Sequence, residues 1–357
     1  MLNKEIIIFG TGIDGLRCMN MLFIQYRMYP EYFVVNHCQQ TNFAGYLVKE
    51  CTRENLNGKY ILVATKDWTY KTIYGQLCGL GLVEFEHFIY YEWMFKKLVL
   101  LHGNCHLDII ESYLKSSKEF TKRYSIYPNP RICDNKQRTI HKEVLEHIDL
   151  WIHQDIQDNN SYGYELSDSY LRKGIKETAV EIVIPNLWRA GKIIFPQSYE
   201  NKKNASLSNG KDKNGMFPQA DFLIDECVEK GLSKEEIVAF CLDENALREE
   251  EVKNNFDYYM DKLCLREKQW DIKIVEFIRM WFRKKKLFYD IGHPTNVILK
   301  YISSEILKKL EIEEAISSNI CLDFHEVPVY PAVRKYLNME WEEEKIRVSN
   351  DDKRIEE

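Results

Sequence analysis

The chain lacks most of the signatures that assign a protein to a class at sight. None of its 10 cysteines forms a C-x-x-C pair, which argues against a zinc ribbon or a thioredoxin motif. No uncharged apolar run approaches the roughly 20 residues of a membrane helix. The N-terminus, MLNKEIIIFG, enters a strand-like segment without the charged, apolar and small-residue regions of a signal peptide. A disulfide scaffold is therefore not expected, and the cytosol is the expected compartment. There is no basic excess: 49 Lys plus Arg face 55 Asp plus Glu, a net charge of -6. A nucleic-acid binder normally shows a basic footprint, so nucleic acid is not an expected partner. No internal repeat is present. What remains is globular: 45% hydrophobic and 13% aromatic residues. A length of 357 residues suggests two domains.

Residues 4–9 (KEIIIF) form a short apolar strand that ends in Gly10-Thr11-Gly12-Ile13-Asp14-Gly15. A helical pattern follows over 16–26. Val34-Val35 and residues 60–64 (YILVA) read as further strands, and 69–79 as a helix. Strand, glycine turn, helix and strand make the βαβ pattern of a Rossmann-like unit. Such a turn either serves helix–strand packing or offers N–H groups to an anion. The carboxylate that would grip a ribose, about 20 residues on, is missing, because Val34-Val35-Asn36-His37 stands there. NAD(P) is therefore not an expected cofactor. Residues 1–95, with Gln76-Leu77 and Gly81, resemble the small Rossmann-like modules attached to bacterial sugar and surface-polysaccharide enzymes.

A second strand–turn–helix begins near residue 96. Lys97 to His102 (KLVLLH) is apolar and runs into Gly103-Asn104-Cys105-His106, and 107–114 reads as a helix. A cysteine at such a turn sits where a helix N-terminus favours thiolates and N–H groups can hold an oxyanion. The alternative is one more buried cysteine. Far downstream, Asp290-Ile291-Gly292-His293-Pro294-Thr295-Asn296 precedes an amphipathic helix over 297–310. An Asp three residues before a His suits an orienting acid and a general base. The alternative is a His that caps the helix or lies in a turn. His153 and Gln154 end another strand, and ligands in open α/β sheets bind beyond the carboxyl ends of strands. The amides of Gln154 and Asn104 can donate to an oxyanion without changing charge. Gly103, Asn104, His106, His153, Gln154, Asn186 and Asn296 are the candidate oxyanion or substrate-binding residues.

Gly103-Asn104-Cys105, the strand Asp149-Leu150-Trp151-Ile152-His153-Gln154-Asp155, Ile182-Val183-Ile184-Pro185-Asn186 and His293-Pro294 occur in one family's order. Over residues 97–340 the chain resembles the WcbI-type family of capsular-polysaccharide proteins regarded as acetyltransferases. Val327-Pro328-Val329-Tyr330-Pro331 with Leu337 fits that family's C-terminal pattern. The Asp290…His293-Pro294 block also resembles the last block of SGNH-type esterases and acyltransferases, where a Ser stands in place of Cys105. The family usually has Gln after the Cys; here His106 either replaces it as a hydrogen-bond donor or is a rival base.

The resemblance implies acyl transfer, with acetyl passing from acetyl-CoA to a sugar hydroxyl of a capsule or other surface-polysaccharide precursor. Cys105, His293 and Asp290 would be catalytic. Coenzyme A phosphates would meet Arg189, Lys192 and Arg283, and Lys202, Lys203, Lys211 and Lys213 of the polar loop 201–215. An SGNH-like glycan esterase and a non-catalytic sugar-nucleotide-binding subunit are the alternatives. No metal is expected, and a homo-oligomer is compatible with the sequence.

The expected fold is α/β: an N-terminal Rossmann-like domain (1–95), an SGNH-like α/β domain with large helical insertions (96–340) and a charged C-terminal tail (341–357). Helices are expected over 233–245, capped by Ser233 with Glu236, over 246–262 and over 270–285. The aromatic residues Phe256, Tyr259, Phe277 and Trp281 are expected in the core.

Overall fold

The computed structural model describes residues 4–129, 131–134, 139–200, 219–320 and 326–342. The 201–215 loop with its four lysines lies outside them, as does the tail beyond 342. The first sheet contains β1 (Glu5–Phe9), β2 (Phe33–Val35), β3 (Asn42–Phe43), β4 (Tyr46–Glu50), β5 (Lys59–Val63) and β6 (Phe88–Tyr90), in the order β3-β4-β2-β1-β5-β6. All its pairs are parallel except the β3–β4 hairpin. Ile6, Ile7, Ile8 and Phe9 are all buried, so β1 is covered on both faces, as an interior parallel strand must be. The helices α1 (Ile13–Tyr26) and α2 (Asp67–Gly79) follow β1 and β5. From β1 the chain moves to β2 on one side and later to β5 on the other. The carboxyl ends of β1 and β5 therefore flank a topological switch point.

The second sheet contains β7 (Lys97–His102), β8 (Tyr124–Ile126), β9 (Leu150–Gln154) and β10 (Val180–Ile184), in the order β10-β9-β7-β8 and parallel throughout. α3 (His106–Lys115) and α4 (Lys118–Arg123) join β7 to β8. Side chains alternate across a strand, and the alternation divides this sheet between two cores. Leu98, Leu100 and Trp151 enter the core that includes the first sheet. Val99, Leu101, Leu150 and Ile152 enter the core built with the C-terminal helices. The sequence break near residue 96 thus separates two sheets but runs through a shared core.

The C-terminal half contains the two-stranded antiparallel sheet β11 (Ser198–Glu200) and β12 (Gln219–Asp221). Its helices are α5 (Phe222–Glu229), α6 (Lys234–Cys241), α7 (Glu249–Glu267), α8 (Val275–Trp281), α9 (Asn296–Lys309) and α10 (Pro331–Tyr336). The Ser233–Glu236 capping box is present on α6. The helix expected over 270–285 is shorter than its pattern suggests. Trp270, Ile272 and Ile274 are buried in alternation, the period of extended chain rather than helix. This stretch pairs with β10: the Asp271 N–H donates to Val183 O at 2.8 Å, and the Val183 N–H donates to Asp271 Oδ2 at 2.8 Å. Phe256, Tyr259, Phe277 and Trp281 pack against the C-terminal core. Among the described residues, no helix is long and apolar enough to cross a membrane.

Candidate active site

The carboxyl edge of the second sheet positions the site. β7 delivers Gly103-Asn104-Cys105, and Cys105 is the N-cap of α3. The turn is fastened from β9, whose fully buried Gln154 accepts from the Asn104 N–H at 2.9 Å. A Cβ on Gly103 would meet Gln154 Oε1 at 2.6 Å and Leu107 Cδ1 at 2.9 Å, so glycine is what lets the turn close on this amide. Asn104 Oδ1 accepts from the His106 N–H at 3.0 Å. This commits the oxygen and leaves the amide NH2 for another acceptor.

His293 arrives on a clamped loop. The Tyr289 N–H donates to His293 O at 2.9 Å, and the Thr295 N–H donates to Leu287 O at 2.8 Å. Asp290 Oδ1 accepts from the N–H groups of Gly292 at 2.6 Å and His293 at 2.8 Å. The same carboxylate faces His293 Nδ1 at 2.8 and 2.9 Å. Nδ1–H therefore points at Asp290, and Nε2 is left for Cys105, which hydrogen-bonds the imidazole. Burial alone would pull the His293 pKa down. The bonds to Asp290 and Cys105 outweigh it and raise the pKa to about 9.

His106, whose ring centre lies 6.1 Å from that of His293, moves the other way. Complete burial and then the charge of His293 push its pKa down to about 3. It is neutral, donates from Nε2 to Gly292 O at 3.0 Å, and keeps Nδ1 3.5 Å from Gln154 Nε2. His106 ties α3 to the loop of His293.

The other expected residues divide. Gln154 lies beneath the turn. Asn296 opens α9, and its Oδ1 is buried with no hydrogen-bond partner among the described residues. Asn186 Oδ1 accepts from the Trp188 N–H at 3.1 Å and shapes that loop. His153 does not join the cluster, because strand alternation turns it to the face opposite Gln154. There it stacks on Trp151 at 3.7 Å, with Glu181 Oε1 2.8 Å from Nε2 and Asp168 Oδ1 3.1 Å from Nδ1. Burial would lower its pKa, but the two carboxylates raise it to about 9. The expected phosphate contacts are engaged elsewhere. Arg189 pairs with Glu200 at 2.7 and 3.0 Å, Lys192 donates to Pro196 O at 3.4 Å, and Arg283 donates to Leu337 O at 3.2 Å.

Three residues at the site went unnoticed in the sequence. The exposed Trp188 indole covers Gly292, where a Cβ would meet the ring at 2.7 Å. Arg266 of α7 donates to Asn186 O and, at 3.3 Å, to Trp188 O. The Tyr162 phenol has a raised pKa, by burial first and then by Cys133 and Cys105, which places it near both sulfurs. Trp188 follows Asn186 closely enough to have been found. Arg266 sits within a 19-residue helix and has no local signal.

No disulfide joins any of the nine described cysteines. Among the described residues, no group of three or more His, Cys, Asp and Glu is arranged to hold a metal ion. Fold and site together define an α/β protein with a Cys–His–Asp constellation at the carboxyl edge of a parallel sheet. The chain belongs to the WcbI family of polysaccharide biosynthesis enzymes, whose family model matches residues 98–315. Among solved structures it is similar to WcbI, described as a novel polysaccharide biosynthesis enzyme in its native form without a disulfide bond between coenzyme A and a cysteine. The two share 19% identity with a TM-score of 0.56, over 71% of this chain and 84% of that one. That likeness carries the fold. No curated protein matches the chain.

Proposed function

We propose that the chain is an acyltransferase that moves an acetyl group from acetyl-CoA to a sugar hydroxyl of a polysaccharide precursor. The observation that carries this reading is the relay Cys105–His293–Asp290 at the head of α3. The family's place in polysaccharide biosynthesis supports a sugar acceptor, and the coenzyme A named with its solved relative supports a coenzyme A-linked donor.

With a pKa of about 9, His293 carries a proton at neutral pH when it faces Cys105. The Cys105 thiolate attacks the thioester carbonyl, and the oxyanion forms at the turn. The N–H groups of Asn104 and His106 are taken by side chains, so the Cys105 N–H and the Asn104 NH2 are its donors. The bond to the coenzyme A sulfur breaks, and His293 gives its proton to that sulfur. His293, now neutral, takes the proton of the sugar hydroxyl as the hydroxyl oxygen attacks acetyl-Cys105. Cys105 leaves as thiolate and the imidazolium is restored. The sum is acetyl-CoA plus alcohol giving coenzyme A plus ester.

In a direct route His293 would deprotonate the sugar without an acetyl-cysteine. A histidine that rests protonated favours the covalent route, since it is poised to give a proton first. The exposed Trp188 indole fits a donor that carries flat amide or base groups. An SGNH-like esterase would use the same relay with water as acceptor. Incubation with acetyl-CoA tests the proposal: acetyl on Cys105, discharged by added sugar acceptor, supports it. Release of acetate without need of coenzyme A favours the esterase.

A further inference from the structure

At the other end of the β7–α3 unit lies a crevice of about 610 Å³ between the two sheets' layers. Its floor is the switch point of the first sheet, where Asp14, Lys66 and Tyr91 lie in the segments that follow β1, β5 and β6. Its roof comes from the C-terminal turn of α3, from α4 and from β8. Cys105 caps the N-terminus of α3, whereas Lys115 at its C-terminus lines the crevice. At a rise of 1.5 Å per residue the two places are about 15 Å apart along that helix. The crevice is therefore separate from the relay. Crevices of this kind, at switch points and domain interfaces, are favoured ligand sites.

The lining chemistry indicates what the crevice takes. Its charged residues are four cations, Arg17, Lys66, Lys96 and Lys115, and four carboxylates, Asp14, Asp67, Glu92 and Glu111. Every cation is already paired. Asp14 holds Arg17 at 3.0 Å and Lys66 at 3.1 Å, and Glu92 holds Lys96 at 2.8 Å. Lys115 meets Glu111 at 2.7 Å and Asp67 at 3.4 Å. Asp14 lies buried in the first turn of α1, where a phosphate would have to sit in a nucleotide-binding Rossmann unit. An anionic ligand would meet this carboxylate and would have to break these pairs. A polyhydroxylated neutral ligand would instead find both donors and acceptors held in place. Trp68, exposed by 76% at the rim, offers a flat apolar face against which the C–H side of a sugar ring can stack.

We propose that this crevice binds an uncharged carbohydrate segment and is a second glycan site, independent of the relay. The proposal does not rest on acyl transfer, and its test reads binding alone. Saturation-transfer NMR on the full chain, with short neutral hexose and N-acetylhexosamine oligosaccharides as probes, should show transfer to at least one of them. Trp68→Ala removes an exposed side chain and leaves the fold intact; it should weaken that binding about tenfold, or about 1.4 kcal/mol. Glu92→Gln should weaken it as well, whereas Cys105→Ala and His293→Ala should leave it unchanged. Transfer to none of the probes overturns the proposal. So does binding that survives Trp68→Ala, or displacement of the sugar by uridine diphosphate.

Discussion

Two buried imidazoles 6.1 Å apart illustrate how much a partner matters at the residue scale. Burial works against the charged form of both. His293 has Asp290 and Cys105 and is raised to about 9; His106 has a carbonyl and a charged neighbour and falls to about 3. Asp290→Asn separates charge from geometry, because its side-chain oxygen still accepts the two N–H groups of the loop. The His293 pKa should then fall toward 6.5, read by NMR titration. Transfer should drop by roughly 10²–10⁴-fold, the range of general acid–base catalysis. An unchanged rate would remove Asp290 from the relay.

At the scale of elements, two close approaches hold the site together. Gly292 lies under Trp188 and Gly103 against Gln154. Alanine at either position should cost about 1–3 kcal/mol by overpacking, read by urea unfolding. Gly292→Ala should also displace the indole and shift its fluorescence. Much of this was legible in the sequence because the signals are local: an apolar strand, a glycine turn, a cysteine before a helical pattern, an Asp and a His three residues apart. What escaped depends on faces and neighbours. His153 follows Ile152 as closely as Gln154 follows His153, yet strand alternation sends one histidine to a carboxylate pair and the glutamine to the site. The 270–274 stretch looks helical until β10 is beside it, and Arg266 reaches the site only because α7 packs there. The sequence also conceals Glu200, Pro196 and Leu337 as the partners of Arg189, Lys192 and Arg283.

For the whole molecule, the shared core and the titrating histidines make two further predictions. A fragment starting at residue 96 would expose the Leu98, Leu100 and Trp151 face, which belongs to the core of the first sheet. It should aggregate or bind a hydrophobic dye, whereas a stable monomer of that fragment would show two independent cores. Stability should also peak near pH 6.5 and fall on both sides. His153 and His293 are raised to about 9, so their contribution is complete below 6.5 and is lost as pH rises through 9. His106 is lowered to about 3, so the unfolded chain takes up this proton first and stability falls as pH drops from 6.5 toward 3. His106→Gln should make the acid limb shallower, with buried His102 still contributing to it, and leave the alkaline limb unchanged in a thermal-denaturation series. Peptide mass spectrometry after brief incubation with acetyl-CoA reads directly whether Cys105 carries the acyl group. The Cys105 peptide should gain one acetyl group, absent in His293→Ala and lost when a sugar acceptor is added. An unmodified Cys105, together with full transfer by Cys105→Ala, would contradict the covalent route.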